Sequence, residues 1–559
     1  MKTTPTHRIR ELTDSGLWGD KTLCDYLQIQ AELAPDKLAA IDQPNRDTFA
    51  SGKPLRLTFS ELHAASDAMA IDFLSRGIGY GDHVMIQMPN VVELIICYFA
   101  LSKLGVIASP LPVQYQRHEI STLSQVFGTQ WFIGIDNFKG ASLAENGLAA
   151  VPKSQIITMG TDVVVRGLGG LNAEQRQQLA DYRAAHPVDA NDIFTVCWTS
   201  GTTGTPKGVP RSHNMWFASG YMTSSGSDYA QGDVLLNPFP MVNMSALGGF
   251  LFPATRLGCT IVLHHPIDVP VFLKQIELEQ VNFTIAPPAL LNRLAHEPAL
   301  WQSFEFPALR AIGSGSAPLS SDMITTFEQD YGVKIYNIYG SNEGIALISS
   351  PSAVPDPEQR AAMFPRNGIG DIDSTSGEGS YVKSKVIDVD TGHTLENVGQ
   401  RGELCFAGPT VFDGYLGLGA QDVFTEDGYF RTGDLVEICG EKGEFYRIAG
   451  RIKDIINRGG MKISPAELDT VLEGYPGLIE VAVCAYPDAE LGERICACLV
   501  LQEGLPAPQL ADLCQFLEAK GVAKFKWPER LEVVGQLPRN PLGKVLRHVL
   551  SQSVAGQPN

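Results

Sequence analysis

Apolar residues along this chain follow two alternating spacings. Over 23–33 and 59–76 they recur every three or four residues, the period of a helix with one buried face. Thr58 stands where an N-cap is needed and Glu61 follows three residues on, the spacing of a capping box. Residues 55–57, 82–88 and 106–110 form short apolar runs that predict buried strands, and 91–104 predicts a helix closed by Gly105. The alternation recurs over 132–159, over 234–278 and from 283 to 312. Repeated strand–helix units predict an α/β fold in which helices pack on the faces of a sheet.

The pattern then changes. Residues 350–379 are rich in Pro, Gly, Ser and Asp and lack a clear period, which predicts a surface loop. Short strands with Gly-containing turns dominate 380–446, as in 402–406 and 443–448, and predict a compact β-rich unit. From residue 451 helices (465–472, 510–520) mix with strands (479–485, 495–501) over about 100 residues, the size of a small independent domain. No repeat and no low-complexity tract is present.

Composition narrows the classes of function. The 559 residues carry 43 Lys and Arg against 62 Asp and Glu, a net charge of −19, which repels nucleic acid and anionic membrane. Ten scattered cysteines without CxxC pairs are expected to be reduced thiols, with Cys405, Cys484, Cys496 and Cys498 as small core residues. His7, Arg8, Arg10, Glu11 and Asp14 occupy the N-terminus where an export signal needs an apolar run. The uncharged stretch 234–255 is broken by Asn237, Pro238, Pro240, Asn243, Gly248, Gly249 and Pro253, which predicts buried loops in place of a spanning helix. A soluble cytoplasmic protein is expected.

Candidate chemistry begins after the apolar run 193–198, with Thr199-Ser200-Gly201-Thr202-Thr203-Gly204-Thr205-Pro206-Lys207-Gly208-Val209. Glycines let the backbone bend around an anion, hydroxyls add donors, and Lys207 brings a charge that can reach a polyphosphate. The spacing is not that of a Walker A loop, because Pro206 stands where that loop places its second glycine.

Here the sequence resembles the adenylate-forming (ANL) superfamily, which includes acyl-CoA and aryl-CoA synthetases, adenylation domains and luciferases. Further stretches resemble that family's motifs in their expected order: Gly313-Ser314-Gly315-Ser316-Ala317-Pro318, then Asn337 with Tyr339-Gly340-Ser341-Asn342-Glu343, Tyr429-Phe430-Arg431-Thr432-Gly433-Asp434, Gly450-Arg451-Ile452-Lys453-Asp454, Asn457-Arg458-Gly459-Gly460, and Pro538-Arg539-Asn540-Pro541-Leu542-Gly543-Lys544. The resemblance implies a large N-terminal domain, 1–451, with two βα-layered sheets and a β-rich subdomain. A small mobile α+β C-terminal domain, 452–559, would follow.

It also implies roles. Thr199, Ser200, Gly201, Thr202, Thr203, Gly204 and Lys207 would bind the ATP phosphates. Glu343 would hold Mg²⁺, for which a hard oxygen donor is suited. Gly315, Ser316, Ala317, Asn337, Tyr339, Gly340 and Asn342 would line the nucleotide, with the Asn342 amide replacing the family's Thr as a contact for phosphate. Asp434 would accept the ribose hydroxyls, Arg451 would approach ribose and phosphate, and Lys544 would reach the carboxylate and α-phosphate. Lys453 would be the hinge and Gly459 and Gly460 the loop serving thioester formation.

The implied activity is ATP-dependent ligation of a carboxylic acid to coenzyme A through an acyl-adenylate, with pyrophosphate and AMP released. The alternative acceptor is the phosphopantetheine of a carrier protein, and homodimers occur among similar enzymes. Asn243, with Met244 and Gly315, belongs to the implied acyl pocket, where the family often has His. The apolar residues around Asn243 and the lack of an acidic anchor favour an acid with an uncharged medium-chain, cyclic or aromatic body.

Overall fold

Thr58 and Glu61 exchange side-chain and backbone hydrogen bonds at 3.2 and 2.9 Å, so helix Phe59–Arg76 starts where its capping box dictates, and it ends at Gly77 in the left-handed conformation. The computed structural model describes residues 2–555 apart from 152–154, 161–169, 200–205, 316–318, 368–380, 419–422, 460, 489, 503 and 541–542. The chain divides into two compact units, Met1–Lys383 with Phe406–Phe430, and Ser384–Cys405 with Arg431–Asn559. Arg451 therefore falls in the second unit together with the residues that follow it.

The first unit contains two sheets. One has eight strands in the order Ile345–Ser349, Lys334–Ser341, Ala311–Gly315, Phe283–Ile285, Val234–Asn237, Thr260–Leu263, Leu38–Ile41 and Arg56–Thr58, parallel except at both edges. The other has six, in the order Gln155–Met159, Trp131–Ile135, His83–Gln87, Ile107–Pro110, Ile193–Thr199 and Lys207–Ser212, parallel except for the final hairpin. One core joins Leu235, Ile261 and Phe283 of the first sheet to Val84, Ile86 and Ile133 of the second. Helix Val92–Leu104 is buried along all thirteen residues, which explains its apolar circumference. Its two charges are paired, Glu93 with Arg46 at 2.5 Å and Lys103 with Asp67.

Two readings of the sequence are corrected. Residues 234–255 are loop only in part: 238–243, with Pro238, Pro240 and Asn243, connect strand Val234–Asn237 to Met244–Ala246, after which come a π-turn at Leu247–Leu251 and helix Phe252–Leu257. Beyond Asn243 the proline and glycine have local reasons instead. Pro253 lies in the first turn of its helix, where a missing N–H costs nothing, and a Cβ on Gly248 would come within 2.5 Å of the Met244 sulfur. Nor is 350–367 simply surface. Asp356 caps helix Pro357–Ala362, and buried Arg360 donates to Val354 O at 2.7 Å and pairs with Glu328 at 2.5 Å.

In the second unit, strands Phe445–Arg451, Phe430–Cys439, Arg401–Ala407, Lys383–Ile387 and Thr394–Leu395 adjoin in that order, the expected β-rich segment. The last part of the chain pairs Leu478–Asp488 with Gly492–Leu501, which is flanked by Ile456–Arg458 and Arg530–Val533. Helices Pro465–Leu472, Leu510–Ala519 and Arg547–Ala555 complete it. Among the described residues no helix is long and apolar enough to cross a membrane.

Candidate active site

The Thr- and Gly-rich turn joins strands Ile193–Thr199 and Lys207–Ser212, whose register sets Thr199 opposite Lys207 and Trp198 opposite Gly208. Residues 200–205, which include Ser200, Gly201, Thr202, Thr203 and Gly204, lie outside the described residues, so the site is built from its two flanks. Gly208 is required by close approach, because a Cβ there would be 2.9 Å from Val196 and 3.2 Å from Leu416. Leu416 N donates to Gly208 O at 2.9 Å, which draws the segment around Tyr415 alongside the hairpin.

That contact brings two expected residues together. The Lys207 ammonium lies 4.7 Å from the centre of the Tyr415 ring, and the Tyr415 hydroxyl donates to Glu343 Oε1 at 2.7 Å. Glu343 is buried, and its other carboxylate oxygen accepts no hydrogen bond from a described residue. Its backbone carbonyl accepts from Phe412 N at 2.9 Å. Gly344 follows with φ +109°, and a Cβ there would lie 1.6 Å from Thr410 O. Only glycine fits this turn.

Behind Glu343 lies Arg211, fully buried, which donates to Asn342 O at 3.1 Å, Met215 O at 2.8 Å and Ser219 Oγ at 2.7 Å and stacks 4.5 Å from the Trp216 ring. Burial pushes its guanidinium down to about 9, against the opposing pull of Cys197 and Glu343. Asn342 itself ties the two sheets: Nδ2 donates to Trp198 O at 3.0 Å and Oδ1 accepts from Met244 N at 2.9 Å. Both polar atoms of the amide expected to meet phosphate are thus engaged with backbone, leaving one N–H to offer.

The remaining expected residues of this unit lie along the same strand ends. Asn243 Oδ1 caps Met244–Ala246 through Ala246 N at 3.4 Å. Gly315 ends strand Ala311–Gly315, where a Cβ would be 2.0 Å from Ile338 O, while Ser316 and Ala317 lie outside the described residues. Buried Asn337 donates to Arg360 O and Ala361 O at 3.0 and 2.9 Å. Tyr339 is half-buried with its ring 6.0 Å from Phe364, and Gly340 is exposed. Thr199 and Gly315 both end strands of mainly parallel sheets, the edge at which open α/β folds bind ligands.

In the second unit Asp434 and Arg451 are partners across an antiparallel strand pair. Arg451 Nε donates to Asp434 Oδ1 at 2.6 Å, and the Asp434 backbone N–H is held by Thr432 Oγ1 at 2.9 Å. Lys453 is exposed in the short turn Ile452–Asp454. Gly459 has φ +56°, and its N–H donates to Leu491 O at 2.8 Å. Its neighbour Gly460 lies outside the described residues. Lys544 is fixed through its backbone, which exchanges hydrogen bonds with Asn540 Oδ1 and Asn540 N, both at 2.9 Å. Desolvation by the surrounding chain and the charge of Arg451 hold its ammonium below the usual lysine range, opposed by Asp434 and Asp454.

Tyr415 and Arg211 were not foreseen. The stretch Phe412-Asp413-Gly414-Tyr415-Leu416 carries no spacing that points to a distant Glu, and an arginine before Ser212 and His213 reads as an ordinary strand charge.

Comparison with known proteins adds the family. A model of the AMP-binding enzyme matches residues 27–416, and one of the AMP-binding enzyme C-terminal domain matches 467–544. The chain is 30% identical over 555 residues to the medium-chain fatty-acid–CoA ligase of Escherichia coli (strain K12), covering 96% of this chain and 91% of that one. It is 27% identical to enterobactin synthase component E of the same organism, covering 99% and 98%. Among solved structures, ATP-bound MatB from Rhodopseudomonas palustris shares the fold with a TM-score of 0.77 at 24% identity, over 95% of this chain and 99% of that one. Two matched domains in order, spanning most of the sequence and the motifs above, lead to one conclusion: this chain belongs to the AMP-binding enzymes of the adenylate-forming superfamily of acyl- and aryl-CoA synthetases, and it is an acyl-adenylate-forming ligase.

Proposed function

We propose that this protein joins a carboxylic acid with an uncharged, apolar body to the thiol of coenzyme A, at the expense of ATP. The observation that carries the reading is the joint placement of Lys207 and Glu343 on one phenol, Tyr415, beside the Thr- and Gly-rich turn. Lys207 neutralises the β- and γ-phosphates from the strand that follows the Thr- and Gly-rich segment, whose hydroxyl and backbone N–H groups are the donors its sequence offers them. The buried Glu343 carboxylate, with one oxygen turned to Tyr415 and the other uncommitted among the described residues, fits a hard divalent cation. Mg²⁺ held there would offset charge on the phosphate oxygens.

In the first half-reaction a carboxylate oxygen of the acid attacks the α-phosphorus. The bond to the bridging oxygen breaks, and pyrophosphate leaves with the electron pair. Asp434 receives the ribose hydroxyls, Arg451 orients its carboxylate, and Lys544 steadies the reacting carboxylate and α-phosphate. In the second half-reaction a thiolate attacks the acyl carbon and AMP departs. For this step residues 452–559 turn at Lys453, withdrawing Lys544 and presenting Gly459 and Gly460. The apolar acid is supported by the surroundings of Asn243 and Met244 and by the similarity to a medium-chain fatty-acid–CoA ligase.

A second acceptor, the phosphopantetheine of a carrier protein, is favoured by the similarity to enterobactin synthase component E. A panel of medium-chain, cyclic and aromatic acids, read by ATP-dependent pyrophosphate release with and without CoA, tests the proposal. Release with an apolar acid, together with acyl-CoA formation, is expected. Acid activation that never acylates CoA would overturn the CoA assignment, and acylation of an added carrier protein alone would establish the second acceptor.

A further inference from the structure

Three thiols with no part in the reaction above converge in the second unit. Cys484 stands directly opposite Cys496 in the antiparallel pair Leu478–Asp488 and Gly492–Leu501, and Cys498 lies two residues further along, on the same face of its strand. All three are buried with at most 1% exposure, in a small core closed over by Leu550 and Val554 of helix Arg547–Ala555. Their sulfurs lie within 4.8 Å of one another, with Cys484 and Cys498 at 3.9 Å. Among the described residues no other cluster of His, Cys, Asp or Glu donors meets this spacing.

The distances match the demands of one ion. Points within 4.8 Å of each other share a centre no farther than about 2.8 Å from each, and a trigonal ion with bonds of about 2.3 Å needs sulfurs about 4.0 Å apart. A contraction of a few tenths of an ångström therefore suffices, and no cavity is needed because the ion would sit in the plane of the sulfurs. No His, carboxylate or further Cys joins them among the described residues, so the fourth ligand of a structural zinc site is missing. Three thiolates alone suit a soft monovalent d¹⁰ cation. Arg547, which donates to Val483 O at 2.6 Å, brings a positive charge to the backbone beside Cys484.

We infer that Cys484, Cys496 and Cys498 form a closed, three-coordinate thiolate site for one Cu⁺ ion. Thiol protons are released on binding and no electron is transferred. Because both strands and the covering helix meet at the sulfurs, the ion would cross-link the sheet beneath the segment that follows Lys544.

The test uses the full chain under anaerobic conditions, with Cu⁺ supplied as its acetonitrile complex and bathocuproine disulfonate as competitor. Wild type should retain one Cu⁺ per chain, and X-ray absorption should show three sulfurs at about 2.3 Å, the usual length of a thiolate–metal bond. Cys496→Ser and Cys498→Ser should each weaken retention at least tenfold while keeping native circular dichroism, and Cys514→Ser, in the same unit, should not. Loss of all copper by folded wild type, fewer than three sulfur neighbours, or unchanged retention in both serine variants would overturn the inference. Because X-ray absorption reads the wild type, a variant that misfolds does not shelter the proposal.

Discussion

Tyr415 and Glu343 are 72 residues apart in sequence and joined by one hydrogen bond of 2.7 Å, with the Lys207 ammonium resting against the same tyrosine ring. A single phenol thus sets both the carboxylate proposed to carry Mg²⁺ and the cation proposed to meet the phosphates. A hydrogen bond to a charged group is worth about 1.5–3 kcal/mol, which corresponds to roughly 10–100-fold in rate. Tyr415→Phe keeps the ring and loses the hydroxyl, so pyrophosphate release should slow by roughly that factor, with a loss of stability no larger than that hydrogen bond. Tyr415→Leu should lose more, because the cation–π contact goes as well. Unaltered turnover and Mg²⁺ dependence in both variants would remove Tyr415 from the site.

Lys544 is assigned to the first half-reaction only. Lys544→Ala should suppress adenylation by on the order of 100-fold or more, as expected when a charge aimed at a transition state is removed. Thiolation of a supplied acyl-adenylate should be nearly normal. Single-turnover measurements of the two halves decide the matter, and an equal loss in both would refute the division of labour.

The same lysine predicts a pH dependence. Desolvation and Arg451 favour the neutral amine, so the ammonium is lost at a lower pH than in a free lysine, and adenylation should fall on the alkaline side before an ordinary lysine titrates. Lys544→Arg, which stays charged, should move that limb upward even if its maximal rate is lower. An alkaline limb that does not move would assign it to another group.

Gly344 offers a structural test of the Glu343 turn. With φ +109° and Thr410 O at 1.6 Å from the position of a Cβ, Gly344→Ala should destabilise the protein by about 2 kcal/mol or more and displace Glu343. Denaturant unfolding and pyrophosphate release should both report it. A variant as stable and active as the parent would show that the turn relaxes freely.

Much of this protein was legible before any fold was known. Capping at Thr58 and Glu61, termination at Gly105 and the repeated strand–helix runs follow from local sterics and hydrogen bonding, which neighbouring residues decide. The motifs around Lys207, Glu343, Asp434 and Lys544 were legible as a resemblance to the adenylate-forming family, because their glycines and charges stand in that family's order along the chain. The sequence of 244–255 misled because proline in a first helical turn and glycine against a packed sulfur resemble loop punctuation until their neighbours are known. Only tertiary structure decided that Asn342 spends its amide on Trp198 and Met244, that Arg211 is buried behind Glu343, that Tyr415 joins Glu343 to Lys207, and that three thiols meet under helix Arg547–Ala555. These are contacts between distant segments, fixed by sheet register and by the burial of apolar faces, and neither quantity is written in the spacing of nearby residues.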